Sequence, residues 1–221
     1  MTKLKGILLT EGMHGMISQV EGLAKALDIN YSHHTVETKG FWKVIPPKFT
    51  PISDSVFKKI ECEDVDLIIS CGRKSIIPSL FLKKNSKKKV FNIHIQNPKI
   101  KLDNFNLVVV PEHDNLDGHN VLKTKGAIHY LTSEEIEKDK EYLFSISSKL
   151  RDKNIISLII GGPTQYYDYS DRNIQEIFSK VNYLVKENNL NLVVIPSMRT
   201  PKGTIEHAKI YFGNDHLVLD G

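Results

Sequence analysis

The sequence predicts an α/β protein made of two parallel-sheet units, the second smaller than the first. Three observations predict it. Short apolar runs alternate with helix-period stretches along the 221 residues, the pattern of strands joined by right-handed helical crossovers. The opening motif, an apolar run entering a glycine-containing loop ("LKGILLT", 4–10, then "EGMHGM"), returns in kind at "NIISLIIGG" (154–162). A long polar stretch, "SEEIEKDKEYLFSISSKL" (133–150), reads as a connecting helix between the two starts. The units are therefore expected at 1–150 and 151–221.

Residues 4–10 are the first strand. In "ISQVEGLAKAL" (17–27), Ile17, Val20, Leu23, Ala24 and Leu27 recur at helical spacing. "YSHHTVET" (31–38) is a second strand. The proline pair of "FWKVIPPKF" (41–49) forbids regular structure there. "VDLIIS" (65–70) is a buried strand followed by a helix over 74–82. "KVFNIHI" (89–95), "FNLVVV" (105–110) and "NVLKTKGAI" (120–128) add strands. The helix over 133–150 has Ser133 as its N-cap and two acidic residues in its first turn. In the second unit, "IISLII" is a strand and 170–189 a helix capped by Ser170 or Asp171. "LNLVVIPS" (190–197) is a strand, "MRTPKGTIEHA" a loop with a short helix, and "KIYF" and "HLVLDG" close the chain. With about three strands, this unit is small for a nucleotide-binding sheet.

Composition narrows the function. The chain is 40% hydrophobic and 25% charged, with a net charge of +4, ordinary globular values. Its lysines are scattered, which argues against nucleic acid and suits an anionic small molecule. The dense run "KKNSKKK" (83–89) reads as a solvated loop, with contact to an anionic membrane as the alternative. Cys62 and Cys71 lack paired spacing and read as reduced thiols of a cytoplasmic protein. No stretch of 18 apolar residues is present, so any membrane contact at the inner surface is expected to be peripheral. Nothing in the sequence signals an oligomeric state.

Only four of the 30 cationic residues are arginines, and Arg73 and Arg199 both follow strands, where open α/β sheets bind ligands. In "SCGRKS", Gly72 makes the turn and Arg73 and Lys74 begin a helix. Cations oppose the dipole there unless an anion binds between them. Arginine offers a planar fork for phosphate or carboxylate; a surface ion pair is the plainer alternative. In "TEGMHGMISQVEGLA", Gly12 and Gly15 permit a tight turn and close approach of a ligand to a helix N-terminus. The spacing is not that of a dinucleotide fingerprint. His14, in the mouth of this loop, is a candidate general base or hydrogen-bond donor, or else a solvent-facing helix-start residue. Gln19 faces either the crevice or ordinary surface.

In "IHIQNPKI", Gln96 sits at a strand end, before Pro98 and Lys99, while His94 reads as a satisfied core residue. "VVVPEHDNLDGHNV" gathers Glu112, His113, Asp114, Asp117 and His119. Its spacing lacks the EF-hand period, so metal is the minor reading and a polar crevice lip the major one. Gly161 and Gly162 follow a strand as a phosphate-cradling turn does, and Arg199 follows the next strand of the same sheet.

Taken in order, "EGMHGMISQVEGLAKAL", "FWKVIPP", "SCGRKS", "IQNPK", "VVVPEHD", "NVLKTKGAIH", "LIIGGP" and "SMRTP" resemble the mitochondrial-fission, or elongated-mitochondria, family and its bacterial members. That resemblance implies two Rossmann-like domains of GT-B glycosyltransferase type, the first for an acceptor and the second for a nucleotide sugar. It carries over Gly12, Gly15, Gln19, Gly72, Arg73, Gln96, Pro98, Pro111, Glu112, His113, Asp114, Asn120, Gly161, Gly162, Arg199 and Thr200. Lys74 and Lys99 stand where the family tends to have arginine, which weakens bidentate recognition at both. The family runs on past a segment like "LVLDG" into further donor-side motifs, so a C-terminal truncation, and an incomplete second domain, are expected.

The implied activity is nucleotide-sugar-dependent glycosyl transfer to an envelope or lipid-linked acceptor. Gly161, Gly162, Arg199 and Thr200 are expected at the nucleotide. Gly12, Gly15, Gln19, Gly72, Arg73, Lys74, Gln96, Lys99, Glu112 and Asn120 are expected at the acceptor. His14, or His113 with Asp114, is the expected base. No metal or other cofactor is expected. The alternative is a non-catalytic adaptor that recruits a partner to a membrane surface through Phe41 and Trp42.

Overall fold

The computed structural model describes residues 3–220 except Glu63 and Asp168. The chain divides at Thr132/Ser133 into two compact units. The division precedes the connecting helix rather than following it at 150/151, because that helix packs onto the 3-10 turn Ser148–Arg151 of the second unit.

The first unit contains β1 (Lys5–Thr10), α1 (His14–Ala26), β2 (Asn30–Thr35), β3 (Leu67–Cys71), α2 (Ile76–Asn85), β4 (Phe91–Ile95), β5 (Leu107–Pro111) and β6 (Val121–Thr124). They form a six-stranded sheet in the order β2-β1-β3-β4-β5-β6, parallel throughout. Strand alternation feeds two cores. Leu8, Ile69, Ile93 and Val109 face α1, where Val20 and Ala24 are buried. Ile7, Leu9, Ile68, Val108 and Val110 face α2, with Ile76, Ile77 and Leu80. Burial on both faces explains why these strands read as continuous apolar runs. Gly22 of α1 is a close-approach position. A Cβ there would lie 2.6 Å from the His129 backbone, so glycine lets the segment after β6 lie against the helix.

The second unit contains α3 (Ser133–Ile146), β7 (Ile155–Ile160), α4 (Asp171–Glu187), β8 (Asn191–Pro196), α5 (Lys202–Phe212) and β9 (Leu217–Val218). Its strands form a three-stranded sheet, β7-β8-β9, also parallel. Phe178 of α4 and Phe212 of α5 meet edge to face, ring centroids 5.0 Å apart, over Ile160, Leu192, Val194 and Ala208. The Ser170 hydroxyl accepts from the Asn173 N–H and is the cap of α4.

Three local expectations change. "FWKVIPPKF" is not irregular throughout but holds two 3-10 turns, Gly40–Lys43 and Pro47–Phe49, the second with proline at its first position. The helix expected from Lys74 begins at Ile76, after a 3-10 turn over Arg73–Ser75. "KIYF" continues α5, because Phe212 and Ala208 recur on its buried face.

Candidate functional site

Strand order reverses between β1 and β3, so the loops leaving those two strands bound the crevice of the first sheet. Both loops turn on glycine. Gly12 has φ +85° and Gly72 has φ +93°, with ψ 158° at Gly72, a region open essentially to glycine alone. A Cβ at Gly72 would also lie 2.8 Å from Met16 Sδ and 3.0 Å from Glu11 Oε1.

Glu11 is the residue that sequence reasoning missed. Its Oε1 accepts from the Lys74 backbone N–H at 3.0 Å, and its Oε2 lies 3.2 Å from Lys74 Nζ. The chain's own carboxylate therefore occupies the place expected for an external anion, and Lys74 is committed to it. Burial, with the Glu11 charge adding to it, pushes the Cys71 thiol up to about 12, so this thiol is chemically inert. The expectation for Arg73 also changes. Its Nη2 donates to the Lys43 carbonyl at 2.9 Å, bracing the loop at 40–43. The available signal was an acidic residue after β1 and a cation pair after β3.

The start of α1 is open. Met13 supplies no side-chain cap, and the first turn has no acidic residue. His14 is exposed, and the space above Gly15 is empty. Gln19 does not reach into this space; its Nε2 donates back to the Gly15 carbonyl at 3.0 Å.

At the end of β4, Gln96 has φ +88° and its N–H donates to the Val109 carbonyl at 2.9 Å. A non-glycine residue held there stores strain of about 1–3 kcal/mol. The Lys99 N–H donates to Asn97 Oδ1 at 2.9 Å, and Lys99 is exposed. His94 is buried and stacks on Phe105 at 5.1 Å, with Nδ1 2.9 Å from Ser70 Oγ. Burial pulls its pKa down to about 3.

After β5, Glu112–Asp114 form an exposed 3-10 turn, with His113 Nε2 3.8 Å from Asp114 Oδ1. The other polar residues of this loop point to separate partners: Asp117 to Lys123 at 2.6 Å and His119 to Asp103 at 3.8 Å. Among the described residues no three His, Cys, Asp or Glu side chains are grouped to hold a metal ion. Asn120 braces its loop. Its Nδ2 donates to the carbonyls of Leu102 (2.9 Å) and Phe105 (3.0 Å).

In the second unit the β7 and β8 loops are locked together. A Cβ on Gly162 would fall 2.3 Å from the Arg199 carbonyl oxygen, so glycine is what lets the two loop backbones pack together. Thr200 is buried, and its Oγ1 lies 2.7 Å from the Ile160 carbonyl and 2.9 Å from that of Gly161. It also accepts from the Ser197 N–H at 2.8 Å. Its hydroxyl is fully engaged in holding the loop. The Arg199 side chain is exposed and makes no ion pair or hydrogen bond among the described residues. It precedes α5, whose Pro201 N-cap offers no side-chain acceptor and whose first turn lacks an acid. Arg199 thus stands exposed on a braced loop, just before a helix whose first turn carries no acid.

Residues 14–220 match the family model described as Mitochondrial fission ELM1. Among solved structures, the chain is similar to UDP-N-acetylglucosamine 2-epimerase from Rickettsia bellii. The identity is 13% and the TM-score 0.51, over 99% of this chain and 69% of that one. At that identity the likeness concerns the fold: α/β, with parallel sheets of the GT-B type. No curated protein matches the chain.

Proposed function

The chain belongs to the Mitochondrial fission ELM1 family, and from that premise we propose that it binds a nucleoside-diphosphate sugar in its second unit and transfers the glycosyl group to an acceptor. The observation that carries this reading is the contrast between the two strand-end loops. Glu11 fills the anion position beside Lys74, whereas no protein carboxylate meets Arg199 or the start of α5 among the described residues. A diphosphate supplies what that place lacks.

In the transfer, the acceptor hydroxyl gives its proton to a base as its oxygen bonds the anomeric carbon. The bond from that carbon to the diphosphate oxygen breaks, and the electron pair leaves with the diphosphate. Arg199 and the helix start stabilise that charge. In the first unit, His14 is a candidate proton acceptor, exposed beside the open Gly15 and with no partner among the described residues. His113, 3.8 Å from Asp114, is a second candidate in that unit.

Thermal-shift titration with UDP-, GDP-, ADP- and CMP-sugars tests this. The neighbour's substrate makes UDP-N-acetylglucosamine the first to try. At about a hundredfold excess over Kd, a ligand adds about 2.7 kcal/mol of stability. The shift is expected with one base only, lost in Arg199→Ala and kept in Arg73→Ala, whose side chain braces the 40–43 loop. Absence of any nucleotide shift would overturn the reading in favour of a non-catalytic adaptor. Where a shift is seen, product analysis separates transfer from epimerisation.

A further inference from the structure

The segment 41–52 presents apolar side chains on both of its sides. Inward, Trp42 packs on the α2-side core, and Ile45, Pro47 and Thr50 line a small pocket with Arg73 and Ile77. Outward, Phe41, Val44 and Phe49 are 64%, 72% and 70% exposed. The loop is anchored at its base. The Lys39 N–H donates to the Val56 carbonyl at 2.8 Å, and that of Lys58 to the Glu37 carbonyl at 2.8 Å. Arg73 holds Lys43 from below. These apolar groups are thus held in solvent by a braced loop, contrary to what a loop tip needs for solubility.

Beside the loop runs a groove of about 600 Å³, walled by Ile52, Ile77 and Leu80 and edged by Lys48, Lys99 and Lys101. It shares Pro47, Thr50 and Ile77 with the small pocket, so loop and groove are continuous. Lys48 Nζ lies 5.8 Å from the Phe49 ring. None of the three groove lysines has a carboxylate at ion-pair distance among the described residues. Unpaired ammonium groups beside exposed Phe, Val and Ile match the layering of an anionic bilayer, where phosphates lie above acyl chains. Val44 and Ile52 have no ring on which to stack a base, which sets this surface apart from a nucleic-acid platform.

We propose that the 41–52 loop and the Lys99–Lys101 edge dock the protein peripherally on an anionic phospholipid bilayer, Phe41, Val44 and Phe49 entering the interface and the lysines meeting lipid phosphate. This inference is independent of the nucleotide-sugar reading, and its test reads only vesicle binding.

The 221-residue chain is sedimented with vesicles of phosphatidylcholine, with and without phosphatidylglycerol. Binding is expected to the anionic vesicles alone, weakening as salt is added. Lys48→Gln/Lys99→Gln/Lys101→Gln should lower the partition coefficient on the order of 100-fold. Phe41→Ser/Phe49→Ser should abolish binding. Lys84→Gln/Lys87→Gln/Lys89→Gln removes equal charge from the 83–89 run and should leave binding nearly intact. All these side chains are exposed, and a melting curve of each variant confirms folding. Equal loss in the two lysine triples, or undiminished binding without the phenylalanines, would overturn the proposal. So would vesicle-free dimerisation abolished by the phenylalanine substitutions, which would assign the patch to a second copy of the chain.

Discussion

Glu11 changes the meaning of every charge around it. A lysine and an arginine at a helix start invite an external anion, yet one carboxylate from the neighbouring strand end neutralises Lys74 and leaves Arg73 to brace a loop. His94 shows the other outcome, a polar residue whose role was readable from strand alternation. It is buried, and burial lowers its pKa to about 3 from an ordinary 6.5. In the unfolded chain the imidazole takes up a proton below about pH 6.5, and in the folded chain it does not. The unfolded state therefore binds more protons through the window between those values. Stability is fully present above it and falls as pH drops through it. At about pH 4.5 the expected loss from this group is about 3 kcal/mol. Urea unfolding near neutral pH and near pH 4.5 checks it: His94→Gln should lose less stability over that interval than the unaltered chain, by about that amount.

At the scale of elements, the glycines do different work. Gly15 lies in α1 with open space around its missing Cβ. Gly15→Ala should therefore stabilise the helix by about 0.5–1 kcal/mol. Gly162 has the Arg199 backbone against it, with carbonyl oxygen and Cβ at 2.3 and 2.5 Å from a built Cβ. Gly162→Ala must push the β7 and β8 loops apart, costing about 1–3 kcal/mol. It should also weaken any nucleotide that Arg199 holds. Melting temperature and nucleotide titration, run on both variants, check the opposite signs. "LIIGG" as a strand-and-turn motif was legible in the sequence. That its second glycine packs against the Arg199 loop was not, since the two positions meet only once β7 and β8 pair.

At the scale of the molecule, the first unit buries its six-stranded sheet on both faces in cores of its own. A chain ending at Thr132 should fold alone and melt in one cooperative transition, with near-native secondary structure by circular dichroism. A broad, non-cooperative melt would mean that the first unit depends on the second. The second unit, with one core cluster over three strands, is the smaller structure, in line with its fewer apolar runs.

Strand and helix positions, the parallel sheets and the α/β class were determined by the sequence itself. Apolar runs bounded by glycine, and helical periods such as Val20 with Ala24, are local patterns that hydrophobic burial turns into strands and helices with little choice. The family, too, was legible in the ordered short motifs. Only the tertiary structure decided which cations are already satisfied. Glu11 meets Lys74 across 63 positions, Arg73 meets Lys43 across 30, and Thr200 ties back to Ile160 across 40. Short-range charge and hydrogen-bond energies act over a few ångströms, so their partners are set by the fold that brings distant segments together. Arg199 stands out as a candidate ligand site for the same reason: folding left it, unlike Arg73, with no partner among the described residues.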